Sequence, residues 1–155
     1  MISRIFLLFG SLFVFVSGTA QEESSLVTPL KEDTTVHTWV AQMPVFDGCD
    51  PMDANAYTCT LKEMTKYLFS AIRYPQESMA RNQGGIAQVG VVIDKQGRIK
   101  TARIEESSGV AELDAEALRV IKAMPKWKPG VDNGQAVLVA MTIPVNFRPE
   151  AYRRE

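Results

Sequence analysis

The sequence predicts an α+β domain of modest size behind an export leader, and two periodicities carry that prediction. Apolar residues recur at every second position in 86–93 and 137–147, and less regularly in 99–104, the pattern of half-buried strands. Two other stretches, 61–72 and 113–124, repeat at spacings of three and four, as one face of an α-helix does. A length of 155 residues with 46% hydrophobic content is enough for one core and too little for several.

Arg4, the apolar run from Ile5 to Val16 and then Ser17-Gly18-Thr19-Ala20 read as a secretory leader, 1–20, cleaved before Gln21. The run is interrupted by Gly10 and Ser11 and falls short of the roughly 20 residues that span a bilayer. The leader predicts a periplasmic protein; the alternative is a retained signal-anchor that holds it to the inner membrane, facing the periplasm. Residues 21–42 follow as a polar arm. Its acid-leaning portion, Gln21 to Asp33, has no sustained apolar period and reaches at most about 45 Å when extended. Within the arm, Val36-His37-Thr38-Trp39-Val40 has the β-branched and aromatic content of a short strand. The domain proper is expected over 43–149, with a tail at 150–155.

Cys49 and Cys59 form an even pair in an exported chain and predict a disulfide that staples a turn-rich loop. They lack the Cys-x-x-Cys spacing of a redox pair. Asp47, Asp50 and Asp53 lack the alternate spacing and the glycine of a calcium loop.

Thr60-Leu61-Lys62-Glu63 has the form of a capping box and predicts a helix opening there, with Leu61, Met64, Leu68, Ala71 and Ile72 as its apolar stripe. Tyr74-Pro75 ends it, because the residue before a proline is pushed out of the α region. Pro75 then suits the start of a short helix through Arg81, stopped by Gly84-Gly85. Ala87, Val89, Val91 and Ile93 share one face of a strand. Asp94-Lys95-Gln96-Gly97 makes a turn into a second strand with Ile99, Ala102 and Ile104, whose phase slip predicts a bulge. Ser107-Ser108-Gly109 breaks that strand, and a helix carries Leu113, Ala117, Val120, Ile121 and Met124. Pro125 and Pro129 bound a structured connection. The last strand aligns Val137, Val139, Met141, Ile143, Val145 and Phe147 on one side. Because Pro144 cannot donate to a central ladder, this strand is expected at a sheet edge, where unpaired backbone groups can take up another chain. A proline introduced at Val139 or Met141 is expected to remove an edge donor.

Composition also narrows the function. With 17 basic and 18 acidic residues the net charge is -1, which gives no broad field for nucleic acid. One His, His37, and two Cys exclude multi-histidine and four-thiolate metal centres, so no metal and no cofactor is expected. No Gly-x-Ser-x-Gly elbow is present, Ser107 and Ser108 have no identifiable base, and Glu105-Glu106 reads as a solvated pair. The expectation is a protein that is not an enzyme and has no small-molecule substrate. Trp127, between Lys126 and Lys128, reads as a packing anchor before a stacking platform. Lys95, Arg98, Lys100 and Arg103 form a basic stripe on the hairpin, read as a solvated face before a contact for an acidic segment or cell-wall polymer.

Taken together, Tyr74-Pro75, Gly85 with the strand to Ile93-Asp94, Gly97, Ser108-Gly109, Leu113-Asp114 with Ala117, Met124-Pro125-Lys126-Trp127-Lys128-Pro129-Gly130 and Ile143-Pro144-Val145-Asn146-Phe147 resemble, in order and spacing, the C-terminal domain of TonB energy transducers. The lead-in Met43-Pro44-Val45-Phe46-Asp47-Gly48 resembles a version of that family with a Pro-x-Phe-x-Gly turn before the first helix. The resemblance implies a three-stranded antiparallel sheet with two helices packed on one face. It also implies binding of an extended segment of an outer-membrane TonB-dependent receptor by strand addition, in nutrient or siderophore transport. The implied partner-binding residues are Arg73, Tyr74 and Pro75 beside the first helix, and Val137, Val139, Met141, Ile143 and Val145 on the last strand. The Gln-Pro-Pro triplet of the best-known members is absent, and Arg73-Tyr74-Pro75 stands in its place. So are a convincing membrane helix and a long proline-rich spacer, which leaves a stand-alone exported domain as the expectation. The alternative is an envelope interaction or structural module that binds peptidoglycan or a sibling transducer, or pairs through its edge as a homodimer.

Overall fold

The computed structural model describes residues 34–153; the leader 1–20 and the arm up to residue 33 lie outside the described residues. The chain order is β1 (Val36–His37), α1 (Ala56–Ala71), α2 (Gln76–Ala80), β2 (Gly85–Ile93), β3 (Ile99–Glu106), α3 (Ala111–Lys122), β4 (Gly130–Asp132), β5 (Gln135–Phe147) and α4 (Pro149–Tyr152).

The α+β class stands, but the sheet is larger than three antiparallel strands. β2, β3 and β5 pair antiparallel as expected, in the spatial order β1-β5-β2-β3. β1 adds in parallel to the start of β5, Val36 beside Leu138 and His37 beside Val139, so the sheet is mixed. β4 forms a hairpin with β5 through Asn133-Gly134, both at positive φ, the pair such tight turns favour. β1 is the first part of the short strand expected at Val36 to Val40, while β4, at three residues, is too short for a period of two to show. β5 is therefore interior to the sheet at Leu138 and Val139, with an exposed flank only further along.

The four inward residues of β2 are fully buried beneath the two long helices. Met64, Leu68 and Ile72 from the α1 segment, and Leu113, Ala117, Val120 and Ile121 from α3, close over them together with Ile143, Val145 and Phe147 of β5. Each fully buried Val, Leu or Ile in this layer contributes about 1.5–3 kcal/mol. The bulge foreseen in the hairpin is present: Val92 pairs with Thr101 and Ile93 with Ile99, which leaves Lys100 as the extra residue.

Three local expectations are corrected. α1 begins at Ala56, a turn before Thr60, so no capping box exists there; the Thr60 hydroxyl instead accepts the Phe46 N–H at 3.2 Å. α2 has already ended at Ala80, with Asn82 at φ 52 supplying the left-handed turn, and Gly85 belongs to β2. Residues 36–42 of the arm are laid against the domain by β1 and by mutual hydrogen bonds between Gln42 and Val131. Trp127 is the anchor its surroundings suggest. It is 2% exposed, its ring meets Phe46 edge-on at 5.2 Å, and its backbone N–H donates to the Gly97 carbonyl at 2.7 Å.

Candidate partner-binding edge

β5 has two flanks. On one, Val139 to Phe147 pair without a break to Ile93 through Gly85 of β2. On the other, β1 reaches only to Val139, and from Ala140 to Phe147 no strand pairs with it among the described residues. Pro144 lies opposite Gln88 inside the unbroken ladder. A proline costs that ladder nothing only if its nitrogen faces away from β2. Strand alternation then turns the N–H groups of Thr142 and Asn146 toward the free flank and those of Met141, Ile143 and Val145 toward β2. A proline at Val139 or Met141 would consequently break the β2 ladder, and Thr142 is the position that removes an edge donor.

Among the described residues the sheet has a second free flank, along β3, and the two differ chemically. Lys100, Arg103, Glu105 and Glu106 place exposed charges on β3, next to its bulge, the usual protection of an edge against added strands. β5 carries no ionisable residue. One cross-sheet contact fixes the outer face: Glu105 reaches over Gly90 and accepts the Thr142 hydroxyl hydrogen bond at 2.8 Å. That bond, with a further one from Arg103, holds the Glu105 carboxyl below its ordinary pKa.

Beside the free flank lies a cleft of about 790 Å³, with Met141 to Pro144 along one side and residues 39–45 and the start of α1 around the rest. Trp39, 82% exposed, and Tyr57, 74% exposed, stand in its lining with Leu61. The Cys49–Cys59 disulfide, with Cα atoms 5.9 Å apart, ties the loop before α1 to the first turn of that helix. A second cleft follows the same flank past Pro144, Asn146 and Arg148, against Phe69 and Ile72 of the α1 segment.

Tyr74 supports the far end of the flank. Its ring packs on Phe147 at 5.9 Å and on Tyr152 at 5.3 Å, and its hydroxyl donates to the Gln83 carbonyl at 2.5 Å. Burial, then the nearby Glu150 charge, raises the Tyr74 pKa; burial, then Tyr74, does the same for Tyr152. The exposed Arg73 is fixed through its backbone, whose N–H donates to buried Glu116 at 2.6 Å. Arg119 grips the same carboxylate through two bonds of 2.7 Å and donates to the Ala71 carbonyl at 2.8 Å. This network locks the end of α1 onto α3.

Of the partner-binding residues expected from the sequence, Val137 pairs with Gly130 and is buried with Val139 and Val40. Ile143 and Val145 are buried on the helix side, and Met141 is half-buried. Their side chains are core, and what the strand leaves available is backbone. Trp39, Tyr57, Leu61, Thr142 and Asn146 carry no sequence expectation of partner binding; Leu61, expected on the buried stripe of the first helix, is instead 41% exposed. The large side chains of Trp39 and Tyr57 ahead of that stripe were the available signal.

The family of Gram-negative bacterial TonB protein C-terminal domains matches residues 70–149. The chain belongs to that family. Two solution structures of the Helicobacter pylori TonB C-terminal domain resemble it, at 22% and 20% identity and TM-scores of 0.47 and 0.45. They cover 58% and 61% of this chain and 94% and 82% of their own. The structure of the HasB C-terminal domain is similar at 21% identity and a TM-score of 0.40, over 66% of this chain and 73% of its own. No curated protein matches the chain. As a TonB C-terminal domain it belongs to a non-catalytic family and is not an enzyme; among the described residues no cluster of His, Cys, Asp and Glu could hold a metal ion. No helix among the described residues is long and apolar enough to cross a membrane.

Proposed function

We propose that this TonB C-terminal domain acts in the periplasm by binding an extended segment of an outer-membrane TonB-dependent receptor, added as a strand to β5 between Ala140 and Phe147. The observation that carries the reading is the free flank itself: a run of backbone donors and acceptors without a strand partner among the described residues, flanked by uncharged residues, while the opposite edge is guarded by charge. β1 already adds to the same side of β5 in parallel for two residues, so the strand accepts this kind of neighbour. Arg73, Tyr74 and Pro75 lie at the end of α1, where Tyr74 backs the terminal part of the flank through Phe147. Export by cleavage of the leader 1–20 is part of the proposal.

The test is an NMR titration of the chain from Gln21 with short overlapping peptides from the N-termini of the host's mature outer-membrane receptors. Saturable shifts are expected at Ala140 to Phe147, and Thr142→Pro should abolish them in a protein whose core resonances are unchanged. A folded domain that shows no shift at this flank with any peptide would end the strand-addition reading. Pairing of two copies through the same flank is the second reading, favoured by the absence of charge on β5. Sedimentation that stays monomeric at high micromolar concentration would remove it.

A further inference from the structure

The cleft beside the flank is built largely by residues outside the stretch that matches the family: Trp39, Pro51, Tyr57 and Leu61 all precede residue 70. Three large apolar side chains among them are exposed. Single exposed hydrophobics need no explanation, but these three line one concavity whose remaining side is the free strand. The lining contains no Asp, Glu, Lys, Arg or His, so nothing in it is charged at neutral pH. An occupant that satisfies the site must therefore bring two things: backbone groups for the donors and acceptors of β5, and side chains without charge. A charged group placed there would lose its hydration with no partner in return.

Resting on the strand-addition reading above, we infer that residues 39–61 form a side-chain specificity pocket, and that the captured segment carries a bulky uncharged apolar residue, aromatic or branched aliphatic, at the position facing Tyr57 and Leu61. Backbone pairing along β5 is indifferent to sequence, so the pocket is what separates one extended segment from another. The disulfide has a role in this: by tying Cys49 to the first turn of α1, it holds the Pro51 and Ala54 side of the pocket at a fixed distance from the strand.

The experiment takes the receptor peptide that gives the strongest shifts at Ala140 to Phe147 and replaces each of its residues in turn by serine. One apolar position is expected at which serine weakens binding at least about ten-fold, since burying such a side chain is worth that much or more. Tyr57→Ser, and separately Trp39→Ser, should weaken the parent peptide by a similar factor. They should leave the serine peptide unaffected, because the two changes remove one contact. Both residues are largely exposed, and an unchanged spectrum elsewhere verifies the fold. If every serine peptide binds within about three-fold of the parent while the edge shifts persist, the pocket is refuted and strand addition stands. If no peptide shifts the edge, the underlying reading falls, and this inference with it. Shifts at Tyr57 and Leu61 that depend on protein concentration without peptide would assign the pocket to a second copy of the chain and overturn the inference as well.

Discussion

Replacing both Cys49 and Cys59 by alanine removes the one covalent tie between the lead-in loop and α1, and its cost can be worked from the structure. The cysteines are separated by 10 positions, and the chain-entropy relation for a loop of that size gives about 2.7 kcal/mol at 25 °C. Cys49 is almost wholly buried, and losing its sulfur contacts adds roughly 0.5–1 kcal/mol. The expected loss is about 3.2–3.7 kcal/mol. For a domain between 100 and 150 residues each kcal/mol moves Tm by roughly 3–5 °C, so Tm should fall by about 10–18 °C. Differential scanning calorimetry on the oxidised protein and the double alanine variant reads this directly. Oxidised protein after reduction should fall almost as far as the variant. A loss under about 1 kcal/mol would mean instead that the loop is already held in place by Phe46 and its contacts with Thr60, Tyr67 and Trp127. Peptide affinity should drop in the variant even at temperatures where it is fully folded, since the loop is one side of the pocket.

Other perturbations test the scaffold. Glu116→Ala strands the Arg73 N–H and the Arg119 guanidinium; with Arg119 partly exposed, a loss of about 2–3 kcal/mol is expected in urea unfolding, and less than about 0.5 would show that the network is incidental. Burial raises the Asp114 carboxyl pKa, but bonds from the Ser107 and Ser108 hydroxyls and the Ser108 N–H outweigh it and hold it below its ordinary value. A lowered folded-state pKa contributes stability that is present above the unfolded value of about 3.9 and lost as pH falls through the folded one. Acid titration of stability below about pH 4 should therefore be shallower for Asp114→Asn than for the parent, and equal slopes would contradict this assignment. Gly97→Ala forces a positive φ on alanine and drives its Cβ into the Trp127 carbonyl, so a loss above about 2 kcal/mol is expected in thermal melts.

The sequence made the central frame legible where periods were long. Ala87 to Ile93, Leu113 to Ile121 and Ile143 to Phe147 each repeat often enough to name their buried face, and the slip between Ile99 and Ala102 marked a real bulge. Of the short elements, β1 was marked only by the β-branched and aromatic content of Val36 to Val40 and β4 not at all, because both are fixed by partners far away in the chain, not by a period of their own. The Asn133-Gly134 turn was a usable sign of the second hairpin. Thr60 misled because a capping pattern also occurs inside a helix whose start is set by other contacts, here the disulfide loop before Ala56. The candidate site was half legible. Pro144 pointed to an open flank, yet which backbone groups face it depends on the register with β2. The pocket depends on the tertiary approach of residues 39–45 to α1, which no local spacing records.

The most direct test of strand addition is amide hydrogen exchange, resolved by residue, with and without a saturating receptor peptide. In the free protein Ile143 and Val145 should be protected by the β2 ladder while Thr142 and Asn146 exchange rapidly. On binding, Thr142 and Asn146 should become protected and the β3 flank should not change. A peptide that binds while both amides remain fast, or that protects Thr101 to Glu105 instead, would contradict the account.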